Sequence, residues 1–208
     1  MDILQNITEA WQAMQIIEVI GVLTGIVNVW LAARQHIWTW PVGLVSVSMY
    51  VLVFYDARLY ADMGLNVFYF VTSLYGWYIW LYGGTNHTGR KVGHVRKKEM
   101  AVLLGLGAVF TLALGYFLDN YTNADLSYAD AGTTAISLIG YWMMAKKLLE
   151  NWIVWVVVDV FYVGIYSYKE LYLTSFLYVV FLLLCVKGYR DWRKDLQVPQ
   201  QPTVGAGA

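Results

Sequence analysis

Seven apolar stretches occupy most of this chain of 208 residues. A helix needs about 20 predominantly apolar residues to cross the hydrocarbon core of a bilayer, and a helix also pairs its own backbone groups where no water is present. The composition agrees, since 59% of the residues are hydrophobic and 13% are charged, which is outside the usual range of soluble domains. We therefore expect an all-α polytopic membrane protein with seven transmembrane helices, covering 16–33, 38–55, 60–83, 100–118, 128–145, 152–168 and 171–189.

The basic residues predict which way these helices run. Of the 14 Lys and Arg residues, all but Arg58 and Lys169 fall after the first, third or fifth segment, or at the end of the seventh and beyond it. Positively charged connections stay on the cytoplasmic side of a membrane. The pattern supports the count of seven crossings, and it predicts a periplasmic amino terminus and a cytoplasmic carboxyl terminus.

An internal repeat at an offset of 112 positions is carried by residue types that rarely match by chance, the pairs Trp30/Trp142, Trp40/Trp152, Tyr50/Tyr162, Gly76/Gly188 and Trp80/Trp192. The offset skips four crossings, an even number, so both three-helix units face the same way and the fourth helix links them. This is the parallel three-plus-one-plus-three plan of SWEET-like transporters, whose ligands bind between the repeats. The predicted parts are a first repeat (16–83), a basic loop with linker helix and outer loop (84–127), a second repeat (128–192) and a disordered tail (193–208).

Polar side chains in the third segment predict one wall of a ligand site. At helical spacing Asn66, Tyr69, Ser73 and Trp77 share one face. Lipid gives an amide, a phenol or a hydroxyl no hydrogen-bond partner, so this face is expected to point at protein or at a cavity. Gly76 would let a ligand or another backbone come close. The alternative is an aromatic packing face with an interfacial belt.

The sixth segment predicts the opposite wall. Trp152, Trp155, Asp159 and Tyr162 recur at three or four residues and form one stripe. A carboxylate inside a membrane is costly and therefore a functional candidate, and tryptophan faces attract cations. The stripe suits a flat aromatic cation. The alternatives are a carboxylate paired within the core and, for Trp152, a place in an interfacial belt.

Secondary candidates are small polar residues that either line a path or mediate packing, and acidic residues that either attract cations or cap helices: Asn28, Ser46, Ser48, Thr133, Thr134 and Ser137; Asp119, Asp125 and Asp130. Glu18 is expected to meet water at the outer end of the first segment. The three histidines lack ligand spacing, and a single cysteine, Cys185, excludes an internal disulfide. Nucleotide-binding and hydrolase motifs are missing from the sequence. We predict no metal, no cofactor and no enzymatic activity.

Four motifs resemble the PnuC family of bacterial vitamin transporters: W-T-W-P-V-G from Trp38, L-Y-A-D-M-G-L from Leu59, the third segment from Asn66 to Trp77, and E-N-W-I-V-W from Glu150. The resemblance covers roughly residues 16–192. It implies a multi-pass inner-membrane protein of three-plus-one-plus-three fold that works by facilitated diffusion. It also implies a cytoplasmic vitamin kinase that traps the substrate, and a homo-oligomer, often a trimer.

Within this family the third segment is similar to the thiamine branch, PnuT, whose pattern N-x-x-Y-x-x-x-x-x-Y-G-W is matched by Asn66, Tyr69, Tyr75, Gly76 and Trp77. The nicotinamide riboside branch has Gln at the first of these positions. The resemblance therefore implies thiamine, with nicotinamide riboside as the alternative, and it adds Tyr75 to the site. A membrane receptor that tolerates Asp159→Asn is an alternative from another class.

Overall fold

The structure is a computed structural model, and it describes residues 23–56, 60–84, 89–122, 127–168 and 172–197. These residues form seven α-helices and no β-strand, so the predicted all-α fold is confirmed. The helices are α1 (described over Leu23–Ala33), α2 (Thr39–Asp56), α3 (Tyr60–Tyr82), α4 (Lys97–Tyr121), α5 (Ser127–Ala145), α6 (Asn151–Tyr168) and α7 (Tyr172–Gln197). Glu18 and Asp125 lie outside the described residues.

Hydropathy predicted the bounds of α2, α3, α5 and α6 to within one residue, and it underestimated α4 and α7. Both longer helices continue beyond their apolar stretches into polar residues, because the backbone hydrogen bonds of a helix remain favourable there as well. α7 therefore runs on to Gln197, and residues 193–197 are helical although the sequence placed them in a tail.

The surface of α4 is apolar and uncovered. Its most apolar stretch has a mean hydropathy of 2.2, and only 6% of that stretch is buried. Leu104, Leu106 and Val109 are each about 60% exposed or more. Because α4 packs mainly on α5, this helix contributes apolar surface outside the core.

We call α1–α3 the first unit and α5–α7 the second unit. The basic end is the end of the bundle formed by residues 34–38, 83–84, 89–96, 146–150 and the end of α7. At this end each unit buries a tryptophan against a glycine of its third helix. Trp40 packs on Gly76 and meets Trp80 edge-on, with ring centroids 5.3 Å apart at 88°. Trp152 packs on Gly188 and meets Trp192 at 5.4 Å and 89°. The equivalent residues are 112 positions apart, so the repeat is present in these contacts.

Two hydrogen bonds cross between the units in the same symmetric way. Trp80 Nε1 donates to the carbonyl oxygen of Met144 at 3.3 Å, and Trp192 Nε1 donates to that of Ala32 at 3.1 Å. The rings of Trp80 and Trp192 lie 5.7 Å apart. We call the four residues Trp40, Trp80, Trp152 and Trp192 the tryptophan plug. It fills the space between the two units at the basic end.

Candidate ligand-binding cavity

A cavity of about 330 Å³ lies between the two units, with Trp152 of the tryptophan plug in its wall. The side chains around it are mainly aromatic and aliphatic, with a few polar groups among them, as in small-molecule sites generally. The lining residues are Asn28, Val29, Ala32, Tyr69, Ser137, Tyr141, Met144, Trp152, Trp155, Val158, Asp159, Tyr162, Tyr178, Phe181 and Cys185.

The carboxylate of Asp159 is the charged group of this cavity. Asp159 is only 4% exposed, and its side-chain hydrogen-bond partner is the thiol of Cys185, which donates to Oδ2 at 3.4 Å. None of the ion pairs formed by the described residues includes Asp159. A buried carboxylate without a cationic partner is unfavourable. A positively charged ligand next to Trp155 would remove that cost, because the ring face also attracts a cation.

A hydrogen-bonded pair on α3 and α5 fixes another part of the wall. Ser73 Oγ donates to the carbonyl oxygen of Tyr69 at 2.7 Å, so the hydroxyl of Tyr141, also 2.7 Å away, donates to Ser73 Oγ. The rings of Tyr69 and Tyr141 meet edge to face at 4.8 Å. Both phenols line the cavity, and the hydrogen bond with Ser73 holds the hydroxyl of Tyr141.

The structure brings five of the predicted site residues together around the cavity: Tyr69, Trp152, Trp155, Asp159 and Tyr162. The other five predicted residues, Asn66, Ser73, Tyr75, Gly76 and Trp77, are not among its lining residues, and their part in binding stays a prediction.

The physical reason is that α3 turns four of these residues toward other parts of the bundle. Ser73 is 0% exposed because Tyr141 covers it. Tyr75 stacks on the ring of Trp142 at 5.2 Å and 7°. A methyl group at Gly76 would overlap the ring of Trp40. Trp77 packs against the core cluster around the plug, and Asn66 is half-buried elsewhere on the helix. In this structure Ser73, Tyr75, Gly76 and Trp77 therefore make packing contacts.

Sequence reasoning missed Tyr141, Tyr178, Phe181 and Cys185 as cavity residues, and it ranked Asn28 and Ser137 as secondary candidates. A signal for three of them was present. Tyr178, Phe181 and Cys185 lie 112 positions after Asn66, Tyr69 and Ser73, so the repeat places them on the equivalent face of α7.

The basic connection before α4 is attached to the second unit. Gly93 exchanges backbone hydrogen bonds with Lys147 and Leu149 at 3.0 and 2.8 Å. Glu150 accepts from the backbone of Val95 at 3.0 Å and pairs with His94 at 2.7 Å. Burial lowers the pKa of the Lys147 ammonium, which lies 4.7 Å from the ring centre of Trp80. This connection therefore covers the basic end near the plug.

These features define a class: a polytopic helical membrane protein with a cavity for a small ligand between two repeated units. The particular family follows from comparison with known proteins. A family model described as the nicotinamide mononucleotide transporter matches residues 15–194. This match covers most of the chain, and the protein belongs to that family of membrane transporters.

Two curated relatives match over most of both chains. The nicotinamide riboside transporter PnuC of Escherichia coli is 24% identical over 205 residues, covering 85% of this chain and 84% of its own. The riboflavin/roseoflavin transporter RibM of Streptomyces davaonensis is 26% identical over 178 residues, covering 84% and 83%. The crystal structure of the vitamin B3 transporter PnuC has the same fold, with a TM-score of 0.66 and 24% identity over 92% of this chain and 86% of that one.

Proposed function

We propose that this membrane vitamin transporter carries nicotinamide riboside by facilitated diffusion. The observation that carries the proposal is Asp159, which faces the cavity beside Trp155 without a cationic partner among the described residues. The pyridinium ring of nicotinamide riboside is flat and positively charged, so it matches the carboxylate and the indole together. Relatives named as nicotinamide riboside transporters, from Escherichia coli and Neisseria mucosa, support this choice.

Nicotinamide riboside replaces thiamine as the first candidate because most of the thiamine-like motif does not reach the cavity. Of the five motif residues only Tyr69 lines it, and Tyr75 and Gly76 contact the rings of Trp142 and Trp40. The motif therefore carries little information about the substrate. Thiamine remains the second candidate, since its thiazolium ring would also satisfy Asp159. A neutral flavin would leave the carboxylate uncompensated.

The remaining polar groups of the cavity suit a nucleoside. Ribose hydroxyls and a carboxamide each donate and accept hydrogen bonds, and phenols, hydroxyls and amides are their natural partners. The cavity offers these groups on four helices, from Asn28, Tyr69, Ser137, Tyr141 and Tyr178. Its volume of about 330 Å³ lies near the lower end of the range of small-molecule sites, roughly 300–1,000 Å³. A compact nucleoside therefore fits better than a larger flavin.

In this proposal the basic end faces the cytoplasm of a bacterial cell, because positive charge stays inside. The tryptophan plug closes the cavity on that side, and it must loosen to release the substrate. The transport step itself needs no energy source when a cytoplasmic kinase, with its own phosphoryl donor, phosphorylates the vitamin and so removes it from the equilibrium. The uncovered apolar surface of α4 is the face through which copies of the chain would associate as a homo-oligomer such as a trimer.

The test is a titration of tryptophan fluorescence in the purified protein, with nicotinamide riboside and thiamine in parallel. We expect saturable quenching by the riboside that is lost in Trp155→Ala and kept in Trp38→Ala, since Trp38 is 59% exposed and lies outside the cavity lining. Saturation by thiamine alone would transfer the proposal to the second candidate. Saturation by neither would favour the receptor alternative.

A further inference from the structure

A second cavity of about 560 Å³ lies among α3, α4 and α5, toward the end of the bundle opposite to the basic end. Most of its wall is aliphatic or aromatic and comes from α3 and α4. The polar groups are Asp130, Thr133 and Thr134 of α5 and Tyr162 of α6. Asp130 is exposed, so its carboxylate is reachable from the water on that side.

One face of α5 runs through both cavities in succession. Asp130, Thr133 and Thr134 line the second cavity, and Ser137, Tyr141 and Met144 line the central one. These positions recur at three and four residues, which is the spacing of a single helix face. Tyr162 lines both cavities. The two spaces are therefore consecutive, and the ring of Tyr162 stands between them.

We propose that the second cavity is a transient binding site that the cationic substrate occupies before it passes Tyr162 into the central cavity. Asp130 supplies the negative charge, and the rings of Phe68 and Phe110 supply aromatic surface for a flat cation. Because Asp130 is exposed, solvent and salt screen its attraction. The site raises the local concentration of the substrate and the rate at which the substrate is captured. The affinity of the central cavity for the substrate does not depend on Asp130. The proposal rests on the proposed function only for the identity of the cation.

A purely structural role for Asp130 makes a different prediction. It lies in the first turn of α5, where a carboxylate stabilises the helix through the macrodipole. That role alone predicts a small loss of stability in Asp130→Asn and no change in uptake kinetics.

The experiment measures initial uptake of radiolabelled nicotinamide riboside into proteoliposomes that contain the full chain. Asp130→Asn is compared with Asp119→Asn, a matched variant at an exposed acidic residue near the end of α4 that does not line the second cavity. We expect Asp130→Asn to lower the rate at low substrate by roughly three- to tenfold and to leave the rate at saturation unchanged. Asp130→Glu restores the rate, Asp119→Asn behaves as wild type, and added salt narrows the difference.

Equal rates in Asp130→Asn and wild type, or equal losses in Asp130→Asn and Asp119→Asn, would overturn the proposal. A weaker affinity of the central cavity in Asp130→Asn, measured by fluorescence, would also overturn it. Failure of the proposed function looks different, since the wild type would then bind no riboside. The same comparison is then made with thiamine, the other flat cation.

Discussion

The two units of this protein share their contacts at the basic end and differ in what they offer the cavity. At the basic end, Arg34 lies over the ring of Trp30 at 4.4 Å, and Lys146 lies over that of Trp142 at 5.0 Å. The left-handed residue of the following turn is Gln35 (φ 54°) in one unit and Lys147 (φ 56°) in the other. Each of these equivalents is 112 positions from its mate, as are the members of the tryptophan plug.

In the cavity the same offset pairs unlike residues. Asp159 corresponds to Val47, and Trp155 corresponds to Gly43. The positions of the larger side chain and of the glycine are also exchanged between the units. In the first unit Asn28 fills the space beside Gly43, and in the second unit Trp155 fills the space beside Gly140. Equal contributions suit a closure between two similar units, whereas a ligand with one charged ring needs a site with one charged wall. The shared contacts therefore lie at the basic end, and the differences lie around the cavity.

The largest expected effect tests the asymmetric part. Asp159→Asn should weaken binding of nicotinamide riboside by about 30-fold or more, because losing one partner of a buried charge pair costs about 2–5 kcal/mol. Its thermal stability should be unchanged or higher, since the apo protein no longer desolvates a charge. Fluorescence titration and thermal unfolding measure the two quantities. The double variant Val47→Asp/Asp159→Val moves the carboxylate to the equivalent position of the first unit and should not restore binding. Restored binding would show that the two units are interchangeable in the cavity.

The next effect tests the symmetric part. Gly76→Ala and Gly188→Ala should each lower stability by about 1–3 kcal/mol through overpacking, because a methyl group would overlap Trp40 in one case and lie 2.6 Å from the Trp152 ring in the other. Thermal unfolding in detergent measures this. Gly105→Ala in α4, where nothing lies within 4 Å, is the matched control and should be neutral or stabilising. A large loss of stability at only one of the two glycines would contradict the equivalence of the two tryptophan–glycine contacts.

A smaller effect is expected for the crossing hydrogen bonds. Trp80→Phe and Trp192→Phe each remove one of these bonds and part of a buried indole; the lost hydrogen bond itself has a cost of about 0.5–1 kcal/mol. The cost is low because both acceptors, the carbonyls of Met144 and Ala32, keep a backbone partner at 2.9 Å. Cys185 is the single cysteine and lines the cavity, so its rate of labelling by a small thiol reagent reports on opening. Labelling should accelerate to a similar extent in both variants and stay at the wild-type rate in Trp38→Phe.

The smallest effect concerns the donor to Asp159. Cys185→Ser makes the residue identical to its repeat mate, Ser73, and keeps a donor beside the carboxylate. Riboside affinity should change by less than about threefold. Cys185→Ala removes the donor and should have the larger effect of the two. An equal loss in both variants would mean that the shape of the thiol matters and its hydrogen bond does not.

Much of the fold could be predicted because hydropathy and the spacing of aromatic residues are properties of the sequence that do not depend on tertiary contacts. Apolar length located the helices, and tryptophan spacing located the repeat. Asp159 and Trp155 could be singled out because a carboxylate inside a membrane has few possible roles. The face of α3 was harder. Periodicity says which residues share a face, and only the tertiary packing shows that Tyr141 covers Ser73 and that Trp142 covers Tyr75. The apolar surroundings of Cys185 likewise concealed its place in the cavity.

The reciprocal indole bonds of the plug have a consequence for how such a chain is assembled. A donor in one half meets an acceptor in the other, and the equivalent donor returns the same contact, from Trp80 to Met144 and from Trp192 to Ala32. That reciprocity is the mark of an isologous interface between two copies of one subunit. The single chain thus contains an interface with the reciprocal geometry of a homodimer, formed by two halves that differ around the cavity.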